Sequence, residues 1–229
     1  MIPLKNVIYT ISGHQVIPIS PNNPSHSQTV IDLKQALQTI QSSAVFYARR
    51  ANDISNNTLK GTTCFEEAIV NTFNALSSLR AKWLKSPGYP DIEITDTKGN
   101  PICYVEVKVT STARKSLGSP RDFYISPGKI DSMSSTRLPS GWTQFTLDIS
   151  PRSTMQKIRG DAAHILLLAK FQEISNCSIF PAGYQTIPKG YRCWRIVDFS
   201  LYDLSYLKLS AKLEFNTDYR GIITKCPKL

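Results

Sequence analysis

Three polar side chains near the middle of the chain have the types and spacing that hydrolysis of a phosphodiester requires. Asp91 follows Pro90, and after fourteen intervening residues Glu106 and Lys108 stand two positions apart in an apolar stretch. Two carboxylates can hold a hard divalent cation through oxygen. A lysine beside them can orient or deprotonate an attacking water and stabilise charge on the phosphate. This segment is therefore the first candidate for a catalytic centre.

The spacing of apolar residues predicts a hairpin around these side chains. Ile92 and Ile94 alternate with polar residues as in a strand, and residues 96–101 are rich in turn formers. In the next strand Glu106 and Lys108 share one face, because side chains two apart point the same way. The opposite face of that strand is apolar and carries Cys103, Val105, Val107 and Val109.

Two interpretations of Glu106 and Lys108 are open at this point. In one of them they form an ordinary solvated face, and Pro90-Asp91 merely opens a turn. In the other, the returning strand brings Asp91 to the same edge of the sheet, and the three groups converge. The upstream Pro-Asp, the hairpin-sized spacing and the apolar register favour convergence.

The pattern Pro90-Asp91 followed by Glu106-Val107-Lys108 resembles the PD-(D/E)xK nuclease superfamily, and within it the type II restriction endonucleases. The resemblance covers residues 61–110 well and the remainder in outline. It implies that Asp91 and Glu106 are metal ligands, with the Val107 carbonyl as a third. It also implies that Lys108 is the catalytic lysine, that one or two Mg²⁺ ions act at each active site, and that the core is restriction-endonuclease-like.

Many members of that superfamily add a glutamate from a preceding helix, and Glu66 is the better candidate here. Apolar spacing predicts a helix over residues 63–85, in which Glu66 lies beside the buried stripe and Glu67 points away from it. Thr63 to Glu66 also fits a capping box, in which Glu66 would reach back to the Thr63 backbone. Both roles for Glu66 stay open, and Glu67 is the third choice.

Composition indicates one domain over residues 1–229. Hydrophobic residues make up 41% of the chain, no apolar run approaches a membrane span, and the first residues lack the charged and apolar regions expected of a signal peptide. The five cysteines are scattered with no C-x-x-C, which argues for a reducing compartment and against both a disulfide framework and a zinc site. We therefore expect a cytoplasmic, bacterial protein with no membrane partner.

A net charge of +10 predicts an anionic polymer as partner. From Lys108 to Arg159 there are nine Lys or Arg against three Asp. We expect a loop-rich region around residues 111–160 to face DNA, although an ordinary surface loop is the alternative. The candidate DNA-binding residues are Arg114, Lys115, Arg121, Lys129, Lys157 and Arg159.

Helical and strand patterns alternate along the chain. This indicates an α/β or mixed α+β fold with a mixed central sheet flanked by helices. The Ser150-Pro151 pair predicts the start of a short helix with Met155 and Ile158 inward and with Lys157 and Arg159 exposed. The other predicted elements are a helix over 29–52, strands over 7–11, 163–171 and 193–199, and an edge strand over 221–224.

The leading functional hypothesis is a Mg²⁺-dependent, sequence-specific endonuclease. It would cut double-stranded DNA, leave 5′-phosphates and act as a homodimer on a palindromic site. A structure-specific repair nuclease or junction resolvase of the same superfamily is the second hypothesis. The third is a non-catalytic DNA-binding protein in which Glu106 and Lys108 are a surface pair. No phosphate loop of the form G-x-x-x-x-G-K-[ST] occurs, which argues against ATP-driven cleavage by this chain.

Overall fold

The computed structural model describes residues 1–55, 59–85, 87–111, 144–175, 177–209, 218–222 and 226–229. Within these residues the helices are α1 (Leu4–Ser12), α2 (Pro24–Ser43), α3 (Phe65–Leu76) and α4 (Pro151–Lys157), with 3-10 turns at Ala51–Ile54 and Leu204–Tyr206. The strands are β1 (Ile2–Pro3), β2 (Val16–Ile17), β3 (Phe46–Ala48), β4 (Arg80–Trp83), β5 (Ile92–Thr95), β6 (Pro101–Ser111), β7 (Gln144–Asp148), β8 (Ala162–Ile174), β9 (Arg192–Asp203), β10 (Lys208–Leu209) and β11 (Asp218–Ile222).

The larger of two sheets carries the predicted hairpin at its centre. Its order is β3-β9-β8-β6-β5-β4, with β2 also pairing with β8. Strands β6 and β8 run parallel, whereas β5 pairs antiparallel with β6 and β9 antiparallel with β8. The smaller sheet has the order β1-β10-β11-β7. The fold is thus mixed α/β with a mixed sheet flanked by helices, as expected, and is consistent with a restriction-endonuclease-like core.

Both faces of β6 are buried, and different elements cover each. The valine face packs against α2 and α3, through residues such as Leu37 and Ile69. Tyr104, on the opposite face, packs with residues of α1, β7 and β10 in a second core. Each large apolar side chain buried in this way contributes roughly 1.5–3 kcal/mol. Glu106 is consequently buried inside the protein, and Lys108 is only partly exposed.

Several predicted elements are confirmed. The hairpin strands are β5 and β6, the predicted strand over 163–171 lies within β8 at the centre of the sheet, and residues 193–199 lie within β9. Helix α4 begins at Pro151 with Ser150 as its N-cap. The strands were predictable from their runs of apolar residues, and the helix from the Ser-Pro pair at its start.

At the N-terminal side one predicted strand is wrong, and two predicted helices exist with other bounds. Residues 7–11 belong to helix α1, since Leu4, Val7 and Ile8 are buried at helical spacing. The helix predicted over 29–52 begins at Pro24 and ends at Ser43, and β3 follows it. The helix predicted over 63–85 ends at Leu76, and its second half is strand β4.

Side-chain hydrogen bonds explain why α3 ends where it does. The Ser77 hydroxyl donates to Asp32 of α2 and accepts from the Leu79 N–H. The Asn74 side chain bonds both the N–H and the carbonyl of Ala81. These partners satisfy the backbone after the helix and favour a strand, which apolar spacing alone does not reveal.

Other expectations are corrected nearer the C-terminus. Met155 is 55% exposed rather than inward, and β11 lies between β10 and β7 rather than at an edge. Cys177 and Cys193 form a disulfide, so the expectation that the cysteines form none is wrong. In the described parts of the chain, no helix has the length and apolar character needed to cross a membrane.

Candidate active site

Asp91 stands immediately before β5, where it contacts both neighbouring strands. Its N–H donates to the Val105 carbonyl at 3.1 Å, and its carbonyl accepts from the Leu84 N–H at 2.7 Å. Its Oδ2 atom accepts a hydrogen bond from the Val107 N–H at 2.7 Å. The carboxylate is therefore fixed beside the Glu106-Val107-Lys108 segment, as the hairpin predicted.

Glu106 and Lys108 share one face of β6 and form an ion pair. Lys108 Nζ donates to Glu106 Oε1 at 2.6 Å. The Glu106 side chain is only 4% exposed and that of Lys108 is 25% exposed. The interpretation of these two residues as a solvated face is therefore wrong. Glu106 Oε2 is buried without a hydrogen-bond partner.

Glu66 is also brought to this place. Helix α3 begins at Phe65 with Cys64 as its N-cap, which does not match the capping box that would require Thr63 at that position. Glu66 is 4% exposed, and its Oε2 has no hydrogen-bond partner. The charges of Asp91 and Lys108 both act on its carboxyl, so the four side chains form one electrostatic cluster.

Burial raises the pKa of each carboxyl in this cluster, and repulsion from Asp91 adds to the shift at Glu66 and Glu106. Burial, then the charge of Asp91, raises the pKa of Glu66 to about 8 and that of Glu106 to about 7. Burial raises the pKa of Asp91, while Lys108 and the Val107 N–H oppose the shift. Burial lowers the pKa of Lys108, but the charges of Glu106 and Asp91 outweigh it and raise that pKa. Buried carboxyls with perturbed pKa values that are gathered in one place are typical of a functional site.

The donor atoms fit a hard divalent cation. The set consists of the Asp91 and Glu106 carboxylate oxygens, of which Glu106 Oε2 is buried without a partner, and oxygen is the ligand that Mg²⁺ prefers. Val107 adds a carbonyl, because the N–H and C=O of a residue in a strand point to the same edge, and its N–H points at Asp91. Among the described residues, no group of three or more His, Cys, Asp or Glu is placed to hold a metal. A cation here would thus depend on Asp91, Glu106 and the Val107 carbonyl.

Lys157 is the residue that sequence reasoning misplaced. The prediction that it is exposed is wrong, since it is 5% exposed and its Nζ donates to the Pro90 carbonyl at 2.8 Å and to the Gly88 carbonyl. Thr154, Lys157 and Ile158 are buried at helical spacing, which places them on the inner face of α4. That spacing was visible in the sequence, but a lysine is ordinarily assigned to solvent.

The remaining candidate DNA-binding residues are only partly within the described chain. The Arg159 side chain is 54% exposed, as predicted, and it forms an ion pair with the buried Glu93 at 2.8 Å. Its contact with DNA stays a prediction. Arg114, Lys115, Arg121 and Lys129 lie outside the described residues.

Comparison with known proteins gives the family. The model of the type II restriction enzyme MjaV family matches residues 1–135. The type II restriction enzyme MjaV of Methanocaldococcus jannaschii is 23% identical over 240 residues, which cover 98% of this chain and 86% of the relative. No solved structure matches the chain significantly. The relative is archaeal, so it gives no support to the expected bacterial source. Because the family match spans more than half of the 229 residues, the chain belongs to the type II restriction enzyme MjaV family.

Proposed function

We propose that this restriction enzyme is a PD-(D/E)xK nuclease that uses Mg²⁺ to hydrolyse phosphodiester bonds of double-stranded DNA at a specific sequence, leaving 5′-phosphates. One observation carries the proposal. The Asp91 carboxylate is hydrogen-bonded to the Val107 N–H, between the two residues whose side chains form the Glu106–Lys108 pair. Two carboxylates, a carbonyl and an ammonium thus meet where β5 begins beside β6.

Each residue of the cluster has a separate role in this proposal. Asp91, Glu106 and the Val107 carbonyl hold one or two Mg²⁺ ions, which when bound would polarise the phosphate and neutralise its charge. Lys108, with its side chain 25% exposed, orients the attacking water and stabilises negative charge on the phosphate. The buried, unpartnered Oε2 of Glu66 can accept a hydrogen bond from that water.

Charge and symmetry support a DNA partner and a homodimer in this proposal. The net charge of +10 favours association with a polyanion. Arg159 is exposed, although its guanidinium is ion-paired with the buried Glu93. A palindromic target would be read by a homodimer, since the two-fold axis of the DNA site mirrors that of the protein. Sedimentation of the protein, alone and with a duplex that contains its target site, measures the number of subunits.

Digestion of a sequenced plasmid with Mg²⁺ tests the proposal. We expect a discrete set of fragments whose ends carry 5′-phosphates, and loss of cutting in Lys108→Ala. Lys98→Ala is the matched control, because Lys98 is exposed in the hairpin turn at the opposite end of β5 from Asp91. No cutting of varied DNA, or full activity in Lys108→Ala, would contradict the proposal.

The same experiment separates the other two hypotheses. Cleavage confined to branched or nicked substrates would indicate a structure-specific nuclease. Salt-dependent DNA binding that Mg²⁺ leaves unchanged, without any cutting, would indicate a non-catalytic binding protein.

A further inference from the structure

Helix α4 contacts the three residues that precede Asp91. Thr154 and Lys157 are three positions apart, so their side chains lie on the same face of the helix. Thr154 Oγ1 donates to the Tyr89 carbonyl at 3.2 Å, and Lys157 Nζ donates to the Pro90 carbonyl at 2.8 Å. Lys157 Nζ also donates to the Gly88 carbonyl. Two side chains of one helix thus bind three consecutive carbonyls.

The backbone of this segment is held close to β7 and α4 by further contacts. The Tyr89 N–H donates to the Asp148 carbonyl at 2.8 Å. Gly88 has a φ of +87°, and a Cβ there would lie 2.8 Å from Ser153 Oγ. The Tyr89 hydroxyl is hydrogen-bonded to His164 of β8. Residues 88–90 are therefore tightly docked, although they belong to no strand.

The buried ammonium of Lys157 is costly for the fold. A buried charge is tolerated only when it is paired and hydrogen-bonded. Two backbone carbonyls accept hydrogen bonds from Lys157, and the Asp91 and Glu106 carboxylates lie close enough for their charges to act on it. A neutral side chain could fill the same space but could not donate to both carbonyls. The hydrogen bonds of the ammonium are therefore what Lys157 adds at this position.

The backbone around Asp91 is restrained by different contacts on its two sides. Strand β5 begins at Ile92, so ladder pairing holds the chain from Asp91 onwards. On the N-terminal side of Asp91 the hydrogen bonds from α4 supply the restraint. A carboxylate that binds a cation must be held within a fraction of an ångström of the productive position, and its supporting groups do this.

We propose that Lys157 is a positioning residue for the active site, and that together with Thr154 it clamps the Gly88–Pro90 carbonyls so that the Asp91 carboxylate is held against the Val107 N–H. This inference rests on the proposed function, in which Asp91 is a metal ligand. In this proposal Lys157 acts through the backbone that holds Asp91.

The test compares Lys157→Met and Thr154→Val with wild-type protein. The readouts are kcat and KM for DNA cleavage, the Mg²⁺ concentration that gives half-maximal rate, and calorimetric Mg²⁺ binding without DNA. For Lys157→Met we expect kcat to fall by about 100-fold. We expect the half-saturating Mg²⁺ concentration to rise about 10-fold in the same variant. KM for DNA should stay unchanged, and Thr154→Val should show smaller changes in the same direction.

Thr29→Val is the matched control. Thr29 is a fully buried helix threonine whose hydroxyl donates to the Ser25 carbonyl at 2.7 Å, so Thr29→Val removes the same kind of bond away from the Asp91 segment. It should lower the melting temperature while leaving Mg²⁺ dependence unchanged. An equal loss of Mg²⁺ affinity in Thr29→Val would overturn the proposal.

The outcomes separate this inference from the function on which it rests. A wild-type protein that neither binds Mg²⁺ nor cuts DNA contradicts the proposed function. An active wild type with unaltered kcat and Mg²⁺ dependence in Lys157→Met overturns the clamp alone, as does a raised KM with unchanged kcat, which would make Lys157 a DNA contact. If Lys157→Met does not fold, Thr154→Val decides, and wild-type Mg²⁺ affinity in that variant overturns the clamp.

Discussion

The Val107 N–H donates a hydrogen bond of 2.7 Å to Asp91 Oδ2, across the junction of β5 and β6. This bond joins the Pro-Asp part of the motif to the Glu-Val-Lys part. Because β5 begins only at Ile92, its pairing with β6 does not extend to Val107, and the Val107 N–H bonds the Asp91 side chain instead. The candidate site therefore lies where β5 begins.

Asp91→Asn should remove metal binding while keeping the shape of this junction. The asparagine amide oxygen can still accept the Val107 N–H, but the carboxylate charge is lost. We expect Mg²⁺ affinity and cleavage rate to fall by at least about 100-fold, measured by calorimetry and by plasmid digestion. Asp96→Asn is the control, since Asp96 holds the turn at the far end of β5 through the Lys98 and Asn100 N–H groups. A similar loss in both variants would contradict the prediction.

Glu66→Gln and Glu67→Gln test the fourth carboxylate at adjacent positions of α3. Glu66 is buried and lies within range of the Asp91 and Lys108 charges, whereas Glu67 is partly exposed. We expect the cleavage rate of Glu66→Gln to fall about 10-fold or more and that of Glu67→Gln to stay near wild type. The opposite order would assign the auxiliary role to Glu67.

Stability of the metal-free protein should decrease as pH rises. The ordinary pKa of a glutamate is 4.5, whereas burial raises that of Glu106 to about 7 and that of Glu66 to about 8. Between the ordinary pKa of 4.5 and these raised values, the folded protein binds more protons than the unfolded chain. The free energy of unfolding therefore falls with increasing pH. The slope reaches at most about 1.4 kcal/mol per pH unit for each carboxyl.

Urea unfolding in the presence of a chelator measures this dependence at about pH 5, 6.5 and 8. Glu66→Gln should flatten the upper part of the curve, because it removes the group with the higher pKa. Mg²⁺ should restore stability most strongly at the highest pH, where its ligands are deprotonated. Stability that rises between about pH 5 and 8 would contradict the prediction.

Gly88→Ala should impair the site by displacing residues 88–90 from α4. Gly88 has a φ of +87° and a Cβ there would clash with Ser153, whereas Gly99 has a φ of +86° and open space around it. Both substitutions to alanine should cost about 1 kcal/mol of stability from backbone strain. Only Gly88→Ala should lose additional stability and cleavage activity, as shown by thermal melts and digestion rates. Equal effects would mean that the Ser153 contact is unimportant.

A thiol titration checks the disulfide. Cys64, Cys103 and Cys226 are free, whereas Cys177 is bonded to Cys193. Protein unfolded without reductant should therefore show three reactive thiols, and five would contradict the structure. Closing a loop of 16 residues should stabilise the fold, and reduction should cost about 3 kcal/mol in the free energy of unfolding.

The hairpin and its triad could be read from the sequence because their signals are local. Alternation of valines set the face on which Glu106 and Lys108 lie, and turn residues limited the register of β5. Glu66 was ambiguous because its two roles depend on where α3 begins, and helix ends carry weak sequence signals. The start of α3 at Phe65 and the burial of Glu66 favour the active-site role.

Lys157 could not be assigned in this way, because its partners are backbone carbonyls that lie far away in the sequence. Strand β4 was missed for a different reason: its conformation depends on the Asn74 side chain and on pairing with β5, neither of which helical periodicity reveals. Local patterns were thus sufficient to predict that Asp91, Glu106 and Lys108 come together and that the sheet is mixed. The burial of Lys157, the end of α3 and the order of the strands arise from long-range hydrogen bonds and packing, which form only when distant segments of the chain meet.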